Sequence, residues 1–361
     1  MASLEVTNSF WKNKKVLITG HTGFKGSWLS LWLQTLGAEV IGVSLEPPSM
    51  PSLYEKANIS EGILSLRQDI RDLKAVKKIF KTYKPEIVFH LAAQSLVRYS
   101  YLNPVETYET NVMGTLNILE GIRSIDNVRA AVMITSDKCY ANSEKDISYS
   151  EDDPMGGYDP YSSSKGATEL LISSYRNSFF SALNFAEHRT AIASARAGNV
   201  IGGGDWAKNR LIPDIILSFQ KAEKVKIRNP NAIRPWQHVL EPLSGYIQLA
   251  ELLNNEGAQY AEAWNFGPVD EEARPVKWIV EKISDLWGNN SKWLIDDSVS
   301  HHEATFLKLD CNKAFKKLNW QPKWSLDESL LKIVEWHKEE QLKTIKCKEL
   351  CLSQIEDYQN K

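Results

Sequence analysis

Tyr161 and Lys165 stand four residues apart, a spacing that puts both side chains on one face of a helix. An ammonium beside a phenol favours tyrosinate and makes the tyrosine a base near neutral pH. Taken alone, the pair fits a surface tyrosine beside a solvated lysine equally well. The segment Thr135-Ser136-Asp137-Lys138-Cys139-Tyr140 changes the balance, because it sets a hydroxyl, a carboxylate and an amine in a row. It follows the apolar run Ala130 to Ile134, which reads as a buried strand. The expected chemistry is proton transfer at the carboxyl end of a sheet.

The elements that would hold these groups are legible upstream. From Lys15 to Ser136, short β-rich runs (Val16 to Thr19, Val40 to Val43, Ile87 to Leu91, Ala131 to Thr135) alternate with amphipathic stretches. That alternation predicts an α/β fold, a doubly wound and mostly parallel sheet with helices on both faces. Between the first two strands lies Gly20-His-Thr-Gly23-Phe-Lys-Gly26, followed by Trp28, Leu31, Trp32 and Leu36 at helical spacing. Glycines here let the chain turn sharply, let amides approach a pyrophosphate at the helix N-terminus, and let helix pack on strand. Dinucleotide binding is the expectation. The acidic residue awaited about twenty positions on is Glu46, set beyond the expected strand end, while His21 and Lys25 would suit a 2′-phosphate; NAD is preferred over NADP. Asp69 either faces the adenine or caps the next helix.

After the Tyr/Lys helix, one more strand is expected near 191–200, and the pattern then loosens into polar, aromatic loops. The division expected is a dinucleotide domain over 1–190, with that returning strand, and a substrate lobe over 201–361. Arg210, Arg228 and Arg234 lie in the loops; each could grip a diphosphate bidentately or be a solvated surface arginine. The tail after Trp336 reads as a charged, solvated helical extension.

Composition excludes several classes. With 43 basic and 45 acidic residues the net charge is −2, so no basic face for nucleic acid is implied. Four cysteines without CxxC spacing suggest neither a disulfide scaffold nor a zinc cluster. His301-His302-Glu303 invites a metal, but adjacent histidines do not share a helix face, and no metal is expected. The N-terminus has no leader pattern and no run approaches eighteen apolar residues, so a soluble cytoplasmic protein is expected. Twelve tryptophans serve either packing or stacking on a ligand.

Thr19-Gly20-His-Thr-Gly23-Phe-Lys-Gly26, His90-Leu-Ala-Ala-Gln94, Thr135-Ser136-Asp137-Lys138 and Tyr161-x-x-x-Lys165 together resemble the extended short-chain dehydrogenase/reductases. Arg196-Ala-Gly-Asn199-Val-Ile-Gly-Gly-Gly-Asp205-Trp206, Ile233-Arg234-Pro-Trp236-Gln-His238 and Leu309-Asp310-Cys-Asn-Lys313 narrow the likeness to the sugar-nucleotide 4,6-dehydratase group. The resemblance covers about Phe10 to Lys338. It implies a Rossmann fold with a smaller C-terminal lobe, bound NAD, CDP-glucose as small-molecule substrate, and a homodimer or higher homo-oligomer paired through segments 105–122 and 161–179. It implies an internal redox cycle serving deoxysugar synthesis. Tyr161 would take the proton of the sugar 4-hydroxyl, with Lys165 on the nicotinamide ribose and Ser136 on the 4-oxygen. Asp137 would protonate the departing 6-hydroxyl. Lys138 stands where relatives place a glutamate, and takes the C5 proton directly or through a water.

Cofactor contacts carried over are Gly20, Thr22, Gly23, Phe24, Lys25, Gly26, Asp69, Ile70, Leu91, Ala92 and Ala93, together with Tyr161 and Lys165. Substrate contacts are Gln94, Asn199, Arg210, Arg234 and Asn265. Where relatives carry an arginine, this chain has Thr305-Phe306, so diphosphate binding leans on Arg210 and Arg234.

Overall fold

The computed structural model describes residues 8–288, 293–296 and 306–361. The first seven residues up to Thr7, His301-His302-Glu303 and Thr305 lie outside the described residues, so the leader and metal readings rest on sequence alone.

Seven strands form the main sheet: β1 (Lys15–Thr19), β2 (Glu39–Ser44), β3 (Leu64–Arg67), β4 (Ile87–His90), β5 (Ala130–Ile134), β6 (Ala191–Ala197) and β7 (Ala263–Phe266). Their order is β7-β6-β5-β4-β1-β2-β3, and every neighbouring pair is parallel. The central strands are buried on both faces, which is why they read as continuous apolar runs rather than alternating ones. The period of two still sorts side chains between two cores. Val16, Ile18, Phe89 and Val132 pack under helices α1 (Phe24–Thr35), α6 (Leu240–Glu256) and α8 (Cys347–Asn360). Leu17, Val88, Ala131 and Met133 meet α2 (Leu73–Tyr83), α3 (Gly114–Arg123) and α4 (Pro160–Ser178) on the other side.

A third core belongs to the lobe. It joins α5 (Leu211–Gln220), the strand Val225–Ile227, Trp236 and α7 (Leu326–Leu342).

Two expectations are corrected here. The division at residue 200 does not part the sheet from the lobe, because α6 and β7, both from the second half, complete the sheet and its larger core. The tail is not solvated: Cys347, Leu350, Cys351, Gln354, Ile355 and Tyr358 form a buried helical stripe on α8. Tyr358 sets its ring edge-on to Trp32 at 5.6 Å and donates a 2.6 Å hydrogen bond to Glu241 Oε2. Burial pushes the Glu241 carboxyl up to about 7, against the donors Tyr358, Trp324 and Lys323 that favour its charge. Trp11, Trp28, Trp32, Trp264 and Trp336 are fully buried, which assigns these five tryptophans to packing.

Candidate active site

The loop after β1 is shaped by what its glycines lack. Gly20 has φ +77°, and a Cβ there would lie 2.8 Å from the Ala92 amide nitrogen. A Cβ on Gly26 would come within 2.1 Å of the Gly20 carbonyl oxygen. Among the described residues no side chain caps α1 at Gly23, so its first-turn amides are left for a ligand. Thr22 ties the loop to the end of β2, 2.7 Å from Ser44 Oγ and donating to the Leu45 carbonyl at 3.1 Å. Thr19 Oγ1 accepts the Ala92 N–H at 3.1 Å and lies 2.6 Å from His90 Nδ1, which fixes the Leu91-Ala92-Ala93 turn over the loop. Backbone amides at a bare helix start, hemmed by segments with no room for side chains, fit a pyrophosphate. Gly26→Ala is therefore expected to lower stability by about 1–3 kcal/mol through overpacking. It should also abolish dinucleotide binding, read by thermal unfolding with and without the dinucleotide.

The residues suggested for a 2′-phosphate turn away from that task. His21 is fully buried against Gly42, with Nε2 2.7 Å from Ser65 Oγ, and burial followed by the Arg67 charge pushes its pKa down to about 4. Lys25 donates to Tyr246 OH at 3.2 Å instead of facing the rim. Its pKa is pushed down to about 7 by burial, then by the Lys165 and Arg210 charges, with Asp137 opposing. Lys25 is thus near enough to Lys165, Arg210 and Asp137 for their charges to act on it. Glu46 is exposed and pairs with Arg67 Nε at 3.1 Å. Asp69 is held by Arg71, whose hydrogen bonds keep its carboxyl below the usual range, and the helix cap is instead Asp72, which accepts the Ala75 N–H at 3.0 Å. Ile70 is buried, its carbonyl accepting from Asn117 at 2.9 Å.

Helix α4 delivers the tyrosine and lysine. Asp159 caps it, accepting from the Ser162 N–H at 2.9 Å, and Pro160 supplies a pre-set first-turn φ. The Tyr161 amide donates to Ser100 Oγ at 3.1 Å, so the first turn cannot rotate. Ser136 lies near enough to the phenol to lower its pKa, and its hydroxyl donates to Asp137 Oδ1 at 2.9 Å. Phenol, hydroxyl and carboxyl thus stand in a row along which protons can pass. Lys165 points its ammonium at the Ile134 carbonyl, 3.4 Å away.

Electrostatics here differ from the sequence expectation. Burial pushes the Tyr161 phenol up to about 12, with Ser136 and Arg210 only partly offsetting it, and Lys165 is not the group that holds it down. Lys165 is itself pushed down to about 8 by burial, with Glu169 opposing. Asp137 is buried and raised by desolvation, Lys138 and Arg234 opposing, and its Oδ2 has no hydrogen-bond partner among the described residues. A carboxyl whose protonated form is favoured by desolvation in this way is suited to donating a proton. Gly198 leaves the room: a Cβ there would lie 2.9 Å from Asp137 Oδ2. Lys138 stands half-buried on the same short helical turn, its amide donating to Ser136 Oγ at 3.2 Å.

Residues 17–333 match the family model described as GDP-mannose 4,6 dehydratase. The chain belongs to that family. A CDP-glucose 4,6-dehydratase of Salmonella typhimurium is 56% identical over 92% of this chain and 93% of the relative. A dTDP-glucose 4,6-dehydratase of Haemophilus influenzae is 25% identical over 89% of the chain and 97% of that protein. Among solved structures, a UDP-glucose 4-epimerase of Thermotoga maritima superposes with TM-score 0.73 at 24% identity, covering 91% of this chain and 99% of the epimerase. An NAD complex of dTDP-glucose 4,6-dehydratase from Bacillus anthracis gives 0.73 at 20% identity, covering 91% and 98%. These two likenesses establish the Rossmann sheet and its lobe as the fold.

Within this 4,6-dehydratase framework the expected substrate contacts do not all converge. Arg210 reaches Asp205 Oδ2 at 3.1 Å and Ser95 Oγ at 2.8 Å, and its charge acts on both Tyr161 and Lys25. Arg234 is buried, with Nη1 donating to the Ile233 carbonyl at 2.9 Å and its charge acting on Asp137. Asn199 is half-buried beside them, its carbonyl accepting the Gln237 N–H at 3.1 Å. Gln94 turns inward, its amide donating to Thr107 Oγ1 at 2.9 Å and accepting from the Leu96 N–H at 2.5 Å. Asn265 is fully buried and engaged with Tyr140 OH at 2.7 Å, the Tyr149 carbonyl at 2.9 Å and the Asp310 carbonyl at 3.0 Å. Its side chain braces the site from behind.

That brace extends through a buried ion pair missed in the sequence. Arg196 Nη2 contacts Glu169 Oε2 at 2.8 Å, Arg196 Nη1 donates to Tyr140 OH at 2.7 Å, and Thr135 and Ser194 both donate to Glu169. Glu169 lies one turn beyond Lys165, so the network fixes α4 against β5 and β6. An arginine in the otherwise small, fully buried strand Ala191–Ala197 was the available signal, since arginine is almost never buried without a partner.

Proposed function

We propose that this protein removes water from CDP-glucose to give CDP-4-dehydro-6-deoxy-D-glucose, with NAD retained through the turnover, as a step of deoxysugar synthesis. The observation that carries the reading is Asp137: a buried carboxyl, raised in pKa, with one oxygen unpartnered among the described residues and the other bonded to Ser136, which acts on Tyr161. The near-full-length likeness to the Salmonella protein supports the nucleotide and hexose.

NAD fits the bare helix start and close-packed glycines after β1; when bound it accepts hydride from C4 and returns hydride to C6. The loop amides from Gly20 to Gly26, the turn at Leu91 to Ala93 and the end of β3 near Asp69 and Ile70 would hold it. Tyr161 takes the 4-hydroxyl proton, Ser136 passing or steadying it at the 4-oxygen. With its pKa near 12 the phenol must first give up its own proton to serve as base, and the Asp137 carboxylate beyond Ser136 is the group placed to take it, which leaves that carboxyl holding the proton it later delivers. The 4-ketone acidifies the C5 proton, which Lys138 removes directly or through a water. The C6 hydroxyl leaves as water with the proton of Asp137, and a C5–C6 double bond forms. Arg210 and Arg234 pair with the diphosphate.

A 4-epimerase would share the loop and the Tyr/Lys pair, and UDP-sugar epimerases are among the relatives at 28% identity and below. It has no hydroxyl to expel, and Asp137 would have no task. We also propose a homodimer through the faces carrying Leu102, Val105 and Met113 and carrying Leu170 and Phe179, which are exposed apolar residues on neighbouring helices. Four buried free thiols suit a reducing, cytoplasmic setting.

The purified protein with CDP-glucose, dTDP-glucose and GDP-mannose in turn, and no added NADH, is expected to convert CDP-glucose to a product lighter by one water. Release of NADH into solution without water loss would overturn the dehydratase reading.

A further inference from the structure

Asp214 lies in the first turn of α5, its amide donating to the Arg210 carbonyl at 3.0 Å. One helical turn, about 6 Å of rise over four residues, separates it from Arg210, whose charge acts on Tyr161. Arg228 follows the strand Val225–Ile227, which packs with α5 in one core, and is the largest charge acting on Asp214, ahead of Arg98. Arg228 shares a loop with Arg234, held by the Ala232 amide on the Asn229 carbonyl at 3.2 Å and the Lys277 amide on the Pro230 carbonyl at 2.8 Å. A carboxylate and a guanidinium therefore stand on elements packed in one core, each within six residues of an arginine whose charge acts on the catalytic groups. Arg228 Nη1 is buried with no hydrogen-bond partner among the described residues. A buried N–H in that condition calls for an acceptor.

We propose that Asp214 and Arg228 read the nucleobase and select cytosine, an inference that rests on the CDP-hexose reading above. Cytosine presents an amino donor at N4 followed by acceptors at N3 and O2. The acceptor-only carboxylate of Asp214 matches N4–H, and the donor-only fork of Arg228 matches N3 and O2. Uracil and thymine reverse two of the three positions. Their O4 faces a carboxylate and their N3–H faces a guanidinium, leaving buried polar groups mismatched. Such mismatches discriminate more strongly than lost apolar contact. An ordinary exposed ion pair would leave no guanidinium nitrogen both buried and unpartnered.

The test is calorimetric titration of the full chain with CDP, UDP and dTDP, for the wild type and for Asp214→Asn and Arg228→Lys. The wild type should favour CDP. Each variant should weaken CDP by about tenfold or more, while Asp214→Asn, which places an amide donor toward O4, should hold or tighten UDP. The CDP-to-UDP ratio is measured on one preparation and does not depend on the fraction folded. An unchanged ratio in both variants overturns the assignment. Tighter binding of UDP or dTDP than CDP by the wild type overturns the CDP reading itself, and that result is obtained without either variant.

Discussion

Tyr161→Phe is expected to lower kcat on CDP-glucose by about 10²- to 10⁴-fold, the range carried by a positioned general base, with KM changed little. The ring is buried and its packing survives the substitution; what goes is one hydroxyl beside Ser136. The stability cost should therefore be about 1 kcal/mol, that of a single hydrogen bond. The size of the kinetic effect follows from burial. Burial keeps bulk water and hydroxide away from the phenol, so no solvent base takes its place once the hydroxyl is gone. Ser136→Ala should leave Tyr161 in place and give a smaller loss. Steady-state kinetics with thermal unfolding on the same samples checks both. A variant within tenfold of wild type would remove Tyr161 from the base's role.

The strand–loop–helix unit around Gly20 to Gly26 was legible because sterics dictate it: only glycine allows the approaches at Ala92 and at the Gly20 carbonyl. The Tyr161/Lys165 helix was legible from spacing, whereas its start, capped by Asp159, emerges only in the structure. Side-chain direction was not. Nothing local in the sequence says that Lys25 donates to Tyr246, 221 positions away, or that Asn265 is drawn into a buried bracket by Tyr140. Those outcomes belong to tertiary packing. Strand β7 was missed because Ala263–Phe266 is too short for a period to show, and it is recruited by the open edge of β6. Helix α8 was misjudged because its buried stripe is built from two thiols, an amide and a phenol, which do not register as an apolar face until Trp32 and Glu241 are in place to receive them.

Asp137→Asn is expected to stop water loss by a comparable factor, about 10²- to 10⁴-fold, while leaving chemistry at C5 intact. The two halves separate because different side chains perform them: Asp137 delivers a proton to the leaving hydroxyl, and Lys138 takes one from C5. Incubating CDP-4-dehydro-6-deoxy-D-glucose with enzyme in deuterium oxide reports the second half alone, since the 4-ketone makes the C5 proton exchangeable. Asp137→Asn should retain that exchange, and Lys138→Met should lose it. Exchange at the wild-type rate in the lysine variant would assign C5 to another base. Stability supplies an independent check on Asp137. Its folded-state pKa lies above the unfolded one, so the charged form is disfavoured by folding and the carboxyl costs stability once pH rises past the unfolded value. Asparagine has no such charge to desolvate. The unfolding temperature of Asp137→Asn at neutral pH should therefore equal or exceed that of the wild type, and the advantage should shrink as pH falls into the carboxylate range. A lower midpoint at neutral pH would mean that the carboxylate is stabilised where it stands, which would sink its role as the acid.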